Sequence, residues 1–137
     1  MKLDSSAFVA ERELFDALVE RARAVECAED RVLFRQGEFP EGLYLLRSGA
    51  AVMTMESSTG DVVLCGTAGA GSLLGLPGLI GNVPYSLTAK ALKGAKVGFV
   101  DREAFSKLML TEPAMSVRVL RVLAAEVRTA RQAVTNL

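Results

Sequence analysis

Histidine is absent from the 137 residues, which removes the commonest general base, the commonest metal ligand and the usual haem ligand together. Ser-His-Asp catalysis, Cys-His catalysis and histidine-based metal sites are excluded with it. Cysteine is scarce. Cys27 and Cys65 lie far apart in apolar or strand-like stretches, a pattern that predicts two buried reduced thiols rather than a secretory disulfide. Long apolar runs are also missing: the longest nearly uncharged stretch, Leu73–Gly81, contains glycine and proline and falls far short of the roughly 20 residues of a membrane-spanning helix. Asp4, Glu11, Glu13 and Asp16 interrupt anything resembling the apolar stretch of a signal peptide, so the expected compartment is the cytoplasm, with no membrane partner.

Net charge is absent as well, since 16 Lys+Arg balance 16 Asp+Glu. The balance is uneven, and the stretch from residue 113 onward is basic. Its arginines, Arg118, Arg121, Arg128 and Arg131, share one helical stretch with no aromatic residue for base stacking. They predict a solvated helix face rather than a nucleic-acid surface. None of the 16 acids stands in an apolar, glycine-flanked setting that predicts a raised pKa. The expectation is a protein that is not an enzyme, with no catalytic residues, no metal site and no cofactor.

What is present suits one domain over residues 1–137, long enough to bury a core without disulfides or metal. Phe8, Leu14, Phe15, Leu18 and Val19 recur at helical spacing and predict an N-terminal helix over 7–22, capped by Ser6 or Asp4. From residue 24 to 101 the pattern changes to short Val/Leu/Ile/Tyr/Phe runs separated by glycine-bearing turns, the mark of a sandwich or barrel. The predicted strands are Ala24–Cys27, Arg31–Phe34, Gly42–Ser48, Ala50–Glu56, Asp61–Thr67, Ser86–Ala91 and Ala95–Asp101. Helical period returns after Asp101, a candidate N-cap over Ala104, Phe105 and Leu108. Pro113 then opens a last helix running to about Asn136.

That helix carries Leu120, Leu123, Val127, Ala130, Val134 and Leu137 at alternating spacings of three and four, an a/d seam. Met115, Val119 and Val122 form a second apolar line. One line is expected on the barrel and the seam, through Leu120, Leu123, Val127, Ala130 and Val134, against a second copy. The alternative is that both lines pack within one monomer.

Val32-Leu33-Phe34-Arg35-Gln36-Gly37-Glu38, Leu43-Tyr44-Leu45-Leu46-Arg47-Ser48-Gly49, Gly60 and Gly71-Ser72-Leu73-Leu74-Gly75 follow one another along the chain. In that order they resemble the cyclic-nucleotide-binding domain of the Crp/Fnr superfamily of transcriptional regulators, over nearly the whole chain. The resemblance implies a mainly β fold with flanking α: a double-stranded β-helix, or jelly-roll-like barrel, over 24–101 with a cassette at 71–88. An N-terminal helix, a short cassette helix and C-terminal helices over 102–137, ending in a long dimerisation helix, complete it. The implied function is that of a non-catalytic effector-sensing and dimerisation module of such a regulator, working as a homodimer.

In that family the cassette cradles a cyclic phosphate on helix amides, with a glutamate for the ribose and an arginine for the phosphate. Here Leu76 stands where the glutamate belongs and Tyr85 where the arginine belongs, while Ser86 keeps the small hydroxyl. Losing such a charge-assisted contact costs about 1.5–3 kcal/mol, roughly ten- to hundredfold in affinity. Cyclic AMP is therefore not expected in the usual pose; Lys90 and Lys93 are the cations nearest in sequence. The candidate ligand residues are Leu74, Gly75, Leu76, Pro77, Gly78, Tyr85 and Ser86. They admit two readings: a pocket for a less polar small-molecule effector, with Tyr85 and Ser86 as hydrogen-bonding groups and Asn82 at its rim, or a collapsed cassette in a ligand-free dimer scaffold or partner-binding adaptor. The family's iron–sulfur sensors need a cysteine cluster and its haem sensors a histidine. Its regulators continue beyond the long helix into a winged helix-turn-helix, so residues 1–137 alone are not expected to bind DNA specifically. A cupin-type enzyme, the remaining small-barrel reading, would need histidine ligands.

Overall fold

The computed structural model describes residues 2–3 and 5–135, with the side chains of residues 6–129 and 131. Along the chain run β1 (Lys2–Leu3), a 3-10 turn (Ser5–Phe8), α1 (Arg12–Val19), β2 (Arg23–Val25), β3 (Arg31–Phe34), β4 (Gly42–Ser48) and β5 (Ala51–Glu56). There follow β6 (Val62–Ala68), β7 (Ser72–Leu74), α2 (Leu76–Gly81), β8 (Thr88–Ala91), β9 (Lys96–Asp101), α3 (Arg102–Thr111) and α4 (Pro113–Thr135). The strands form two facing sheets, ordered β1-β6-β5-β8-β3 and β2-β9-β4-β7. All pairings are antiparallel except β1 with β6. This is the jelly-roll barrel with helices at its ends. Among the described residues no helix is long and apolar enough to cross a membrane.

Residue pattern accounts for the sheets. β6 alternates, burying Leu64 and Ala68 and turning Val63 and Cys65 outward, as a strand with one wet face must. β9 is buried from Val97 to Val100 because it lies between β2 and β4 and is covered on both faces. Gly42 opens β4 where no side chain fits: a Cβ there would lie 2.1 Å from the Val100 carbonyl oxygen across the ladder. Two cores result. One fills the barrel with Phe34, Leu46, Met53, Leu74, Tyr85 and Phe99 among others. The second lies between the β2-β9-β4-β7 sheet and the helices, and joins Leu14, Leu18, Leu43, Leu76, Phe105, Leu108, Val119 and Val122.

Four expectations are corrected. The helix expected over 7–22 is a 3-10 turn followed by the shorter α1. Val9 bridges Ser72, and the Ala10 N–H donates to the Gly71 carbonyl at 3.0 Å, so the chain is drawn extended between the two pieces. Glu11 stands at the N-cap of α1 without a side-chain cap, and neither Ser6 nor Asp4 takes that position; Asp4 lies outside the described residues. The segment Ser72–Leu74, absent from the predicted strands, is a strand paired with β4. Cys27 is buried as expected, and burial pushes its thiol up, whereas Cys65 sits on the outer face of β6. At the other end Asp101 caps α3, accepting from the Ala104 N–H at 2.7 Å, and Pro113 opens α4.

Candidate ligand-binding site

The cassette begins at Gly75, whose φ of 92° is a left-handed turn that L side chains rarely adopt. Pro77 follows in the first turn of α2, where its missing N–H costs nothing, so it starts the helix rather than distorting it. Asn82 ends α2, again left-handed at φ 52°, and the chain doubles back to Tyr85. There the Tyr85 N–H donates to the Glu38 carbonyl and the Gly37 N–H to the Tyr85 carbonyl, both at 2.9 Å. The Arg35–Glu38 turn is tied in turn to the barrel. The Glu38 carboxylate accepts from the Arg35 N–H, and the Gln36 amide bridges both backbone groups of Glu56 at the end of β5.

Tyr85 closes the barrel interior. Its ring stacks on Phe34 at a centroid distance of 3.9 Å, and Phe34, Tyr44 and Phe99 continue the aromatic row. Its hydroxyl donates to the Gly42 carbonyl at 2.7 Å, and burial pushes its pKa up to about 12. The ring lies against the turn that opens α2: a Cβ on Gly75 would come within 2.6 Å of Tyr85 Cε1. Glycine at that position thus answers to two constraints, the backbone angle and the ring. The cavity left among Phe34, Met53, Gly75, Gly78 and Tyr85 is ≈ 20 Å³, room for about one water.

The expected ligand residues therefore separate. Gly75, Pro77, Gly78, Tyr85 and Ser86 line that small cavity. Leu74 and Leu76 do not: both are fully buried, Leu74 inside the barrel and Leu76 under the helices, because β7 and the first turn of α2 are covered on both sides. The Tyr85 hydroxyl is engaged by the Gly42 carbonyl. Lys93 pairs with Glu29 in the turns at the end of the barrel, and Lys90 is exposed on β8. Neither lines a cavity at the cassette. Arg102 approaches the cassette from below, donating to the carbonyls of Pro40 at 2.8 Å and Leu79 at 3.3 Å.

A second, open cleft of ≈ 200 Å³ lies between the 3-10 turn, the β5–β6 hairpin, the cassette and α4. Phe8, Met55, Leu64 and Leu87 wall it; Pro77 and Ser86 connect it to the barrel mouth; Glu126 and Val127 close it from α4. Glu126 Oε2 is buried without a hydrogen-bond partner. Burial alone pushes this carboxyl up to about 8. The expectation that no acid has a raised pKa is thereby overturned. The signal was in the spacing: Met115, Val119, Val122 and Glu126 follow one another at four, three and four, so Glu126 continues the barrel-facing line.

Both faces of α4 are described as far as Thr129. Val119 and Val122 are 3% exposed and pack on the helix-side core, with Met115 and Leu123 partly buried beside them. Leu120 and Val127 are 62% and 52% exposed, and Val117 extends this outer face. The side chains of Ala130 and Val134, and Leu137 altogether, lie outside the described residues. The arginines expected on a solvated face are in part engaged: Arg118 and Arg121 both donate to the Glu11 carboxylate, fastening α4 to the start of α1. Those two guanidinium groups, Arg121 foremost, hold the Glu11 carboxyl below the usual range.

The comparisons agree with this architecture. The family model of the cyclic nucleotide-binding domain matches residues 24–112. The transcriptional activator protein Anr of Pseudomonas protegens is 28% identical over 130 residues, covering 95% of this chain and 52% of that protein. The HTH-type transcriptional regulator Cmr of Mycobacterium tuberculosis is 30% identical over 120 residues, 88% of this chain and 49% of Cmr. The chain thus spans about half the length of the curated relatives it matches. In fold it is similar to the catabolite activator protein of Thermus thermophilus, with a TM-score of 0.79 at 22% identity, covering 91% of this chain and 59% of that one. With the family model matched over most of the chain, and the barrel, cassette and long helix in place, the chain belongs to the cyclic nucleotide-binding domain family, with Crp/Fnr regulators among its relatives.

Proposed function

We propose that this chain is a non-catalytic, cytoplasmic effector-sensing and dimerisation module of a Crp/Fnr-type transcriptional regulator, and that its effector is not a cyclic nucleotide in the usual pose. The observation that carries the reading is the pairing of two adjacent residues on α4. Glu126 and Val127 both line the open cleft, and Val127 also belongs to the exposed seam with Leu120. A molecule in the cleft would touch the same helical turn that meets a second copy. Occupancy would shift the dimer to the extent that the molecule binds its two arrangements with different affinity. The long helices would in turn set the spacing of two DNA-binding halves, about one helical turn of DNA apart.

A cyclic nucleotide fits the residues poorly. Its phosphate keeps a negative charge, no arginine or lysine is among the described residues lining either cavity, and the Tyr85 ring covers the turn that opens the cassette helix. The small enclosed cavity favours a second reading, a ligand-free dimer scaffold or partner-binding adaptor. Native mass spectrometry of the purified protein, alone and with excess cyclic AMP or cyclic GMP, decides between them. A dimer that ignores both nucleotides and carries or accepts another small molecule supports the sensor. A dimer that takes up nothing supports the scaffold, and a monomer contradicts both. Replacing Leu120 and Val127 together by glutamate is expected to dissociate the dimer; unchanged mass would place the interface elsewhere.

A further inference from the structure

The cleft under α4 combines an apolar body with one carboxyl group. Phe8, Met55, Leu64 and Leu87 supply its walls, and apart from Ser86 at its mouth Glu126 is the polar side chain that faces it. One Glu126 oxygen is removed from solvent and has no hydrogen-bond donor. Leaving such a group unmet is unfavourable, and more so in apolar surroundings than in water. No Lys or Arg is among the described residues that line the cleft, so none of these supplies a positive partner there. An anion would meet no cation among the described lining residues. An uncharged hydrocarbon would fill the space and leave the oxygen unmet. An apolar body ending in a nitrogen that donates N–H satisfies both walls and carboxyl, and as a cation it forms a charge-assisted bond that an alcohol's O–H does not.

We infer that the cleft binds a small, single-ring or short aliphatic nitrogen base, held by its apolar body against Phe8, Leu64 and Leu87 and by its N–H donated to Glu126. This rests on the reading of the cleft as an effector site, and names the chemical class of that effector. The volume of ≈ 200 Å³ suits it, because a cavity of about 150 Å³ suffices for a benzene ring. The proton is accounted for in either case. A neutral base takes the proton of the Glu126 carboxyl and the two remain as an ion pair. A base that arrives protonated keeps its proton, and the carboxyl proton passes to solvent.

The test uses benzylamine, benzyl alcohol and phenylacetate as matched cationic, neutral and anionic probes of one size, titrated by ligand-observed NMR and calorimetry. Benzylamine is expected to saturate, at least about tenfold more tightly than either of the others, as a charge-assisted hydrogen bond implies. Glu126→Gln is expected to weaken benzylamine about tenfold and to leave benzyl alcohol unchanged. A readout independent of the variant is the proton balance: near pH 7, binding of protonated benzylamine is expected to release close to one proton to the buffer, and benzyl alcohol none. If benzyl alcohol binds in the cleft but benzylamine gains nothing over it, or no proton is released, the preference for a base is overturned while the effector cleft stands. If none of the three binds at millimolar concentration, both fall.

Discussion

The interior of the barrel beneath the cassette and the cleft beneath α4 are neighbours that share Phe8, Pro77, Ser86, Leu87 and Glu126 along their common wall, yet they are finished differently. In the interior the polar group, the Tyr85 hydroxyl, has its partner in the Gly42 carbonyl, the rings stack, and ≈ 20 Å³ remains. In the cleft the polar group, Glu126, has an oxygen without a partner, and ≈ 200 Å³ remains. Satisfied polar groups and close packing go together, because an aromatic ring that must deliver a hydroxyl to one carbonyl has little freedom to leave space. A buried acid oxygen with no donor among the described residues leaves the cleft able to take one from a bound molecule.

The comparison breaks most severely at Tyr85. Tyr85→Ala removes a ring stacked at 3.9 Å and opens the interior, with an expected loss of about 3–5 kcal/mol in chemical denaturation. Tyr85→Phe keeps the ring and leaves the Gly42 carbonyl without its donor, with an expected loss of about 1–3 kcal/mol. Equal losses for the two variants would mean that the hydroxyl, not the packing, closes the interior.

Glu126 sharpens the other side through pH. Its carboxyl is raised from 4.5 to about 8 in the folded protein, so the folded state holds a proton that the unfolded chain releases between those values. Stability is therefore fullest below pH 4.5 and falls as pH rises toward 8. Glu126→Gln, which does not ionise, is expected to match the wild type in stability near pH 4 and to exceed it by a few kcal/mol at pH 8.5, because each tenfold difference in proton affinity between the folded and unfolded states is worth about 1.4 kcal/mol. Thermal melting at the two pH values reads the difference; a constant offset between variants would show that the acid is solvated. The smallest effect is expected at Ser86, which lines both regions but is exposed. Ser86→Ala is expected to change stability by less than about 0.5 kcal/mol.

Much of this frame was legible in residue pattern. β3 and β4 run over Arg31–Phe34 and Gly42–Ser48 as their alternation and flanking glycines predict, and the Asp101 cap and Pro113 break fall where helix chemistry puts them. What was hidden depended on partners distant in sequence. Val9 breaks the first helix only because Ser72 lies opposite it, and β7 reads as an apolar run without period two because it is covered on both faces. Cys65 follows the alternation of β6, which local apolarity obscures. Tyr85 lies against the turn that opens α2, but no local pattern reveals a hydroxyl partner 43 residues away. Glu126 was legible in principle, as the next step of the Met115–Val119–Val122 line; it was obscured because a charge in a helical stretch ordinarily marks the wet face.

The central claim is that the cassette is closed to the family's usual ligand while the cleft beside it is open. Its most direct test is a cyclic AMP titration followed at the backbone amides of Gly75, Leu76, Gly78 and Glu126 by two-dimensional NMR. The account predicts no saturable shift at the cassette amides up to millimolar nucleotide. Saturable shifts at Gly75 and Gly78 with micromolar affinity would contradict it.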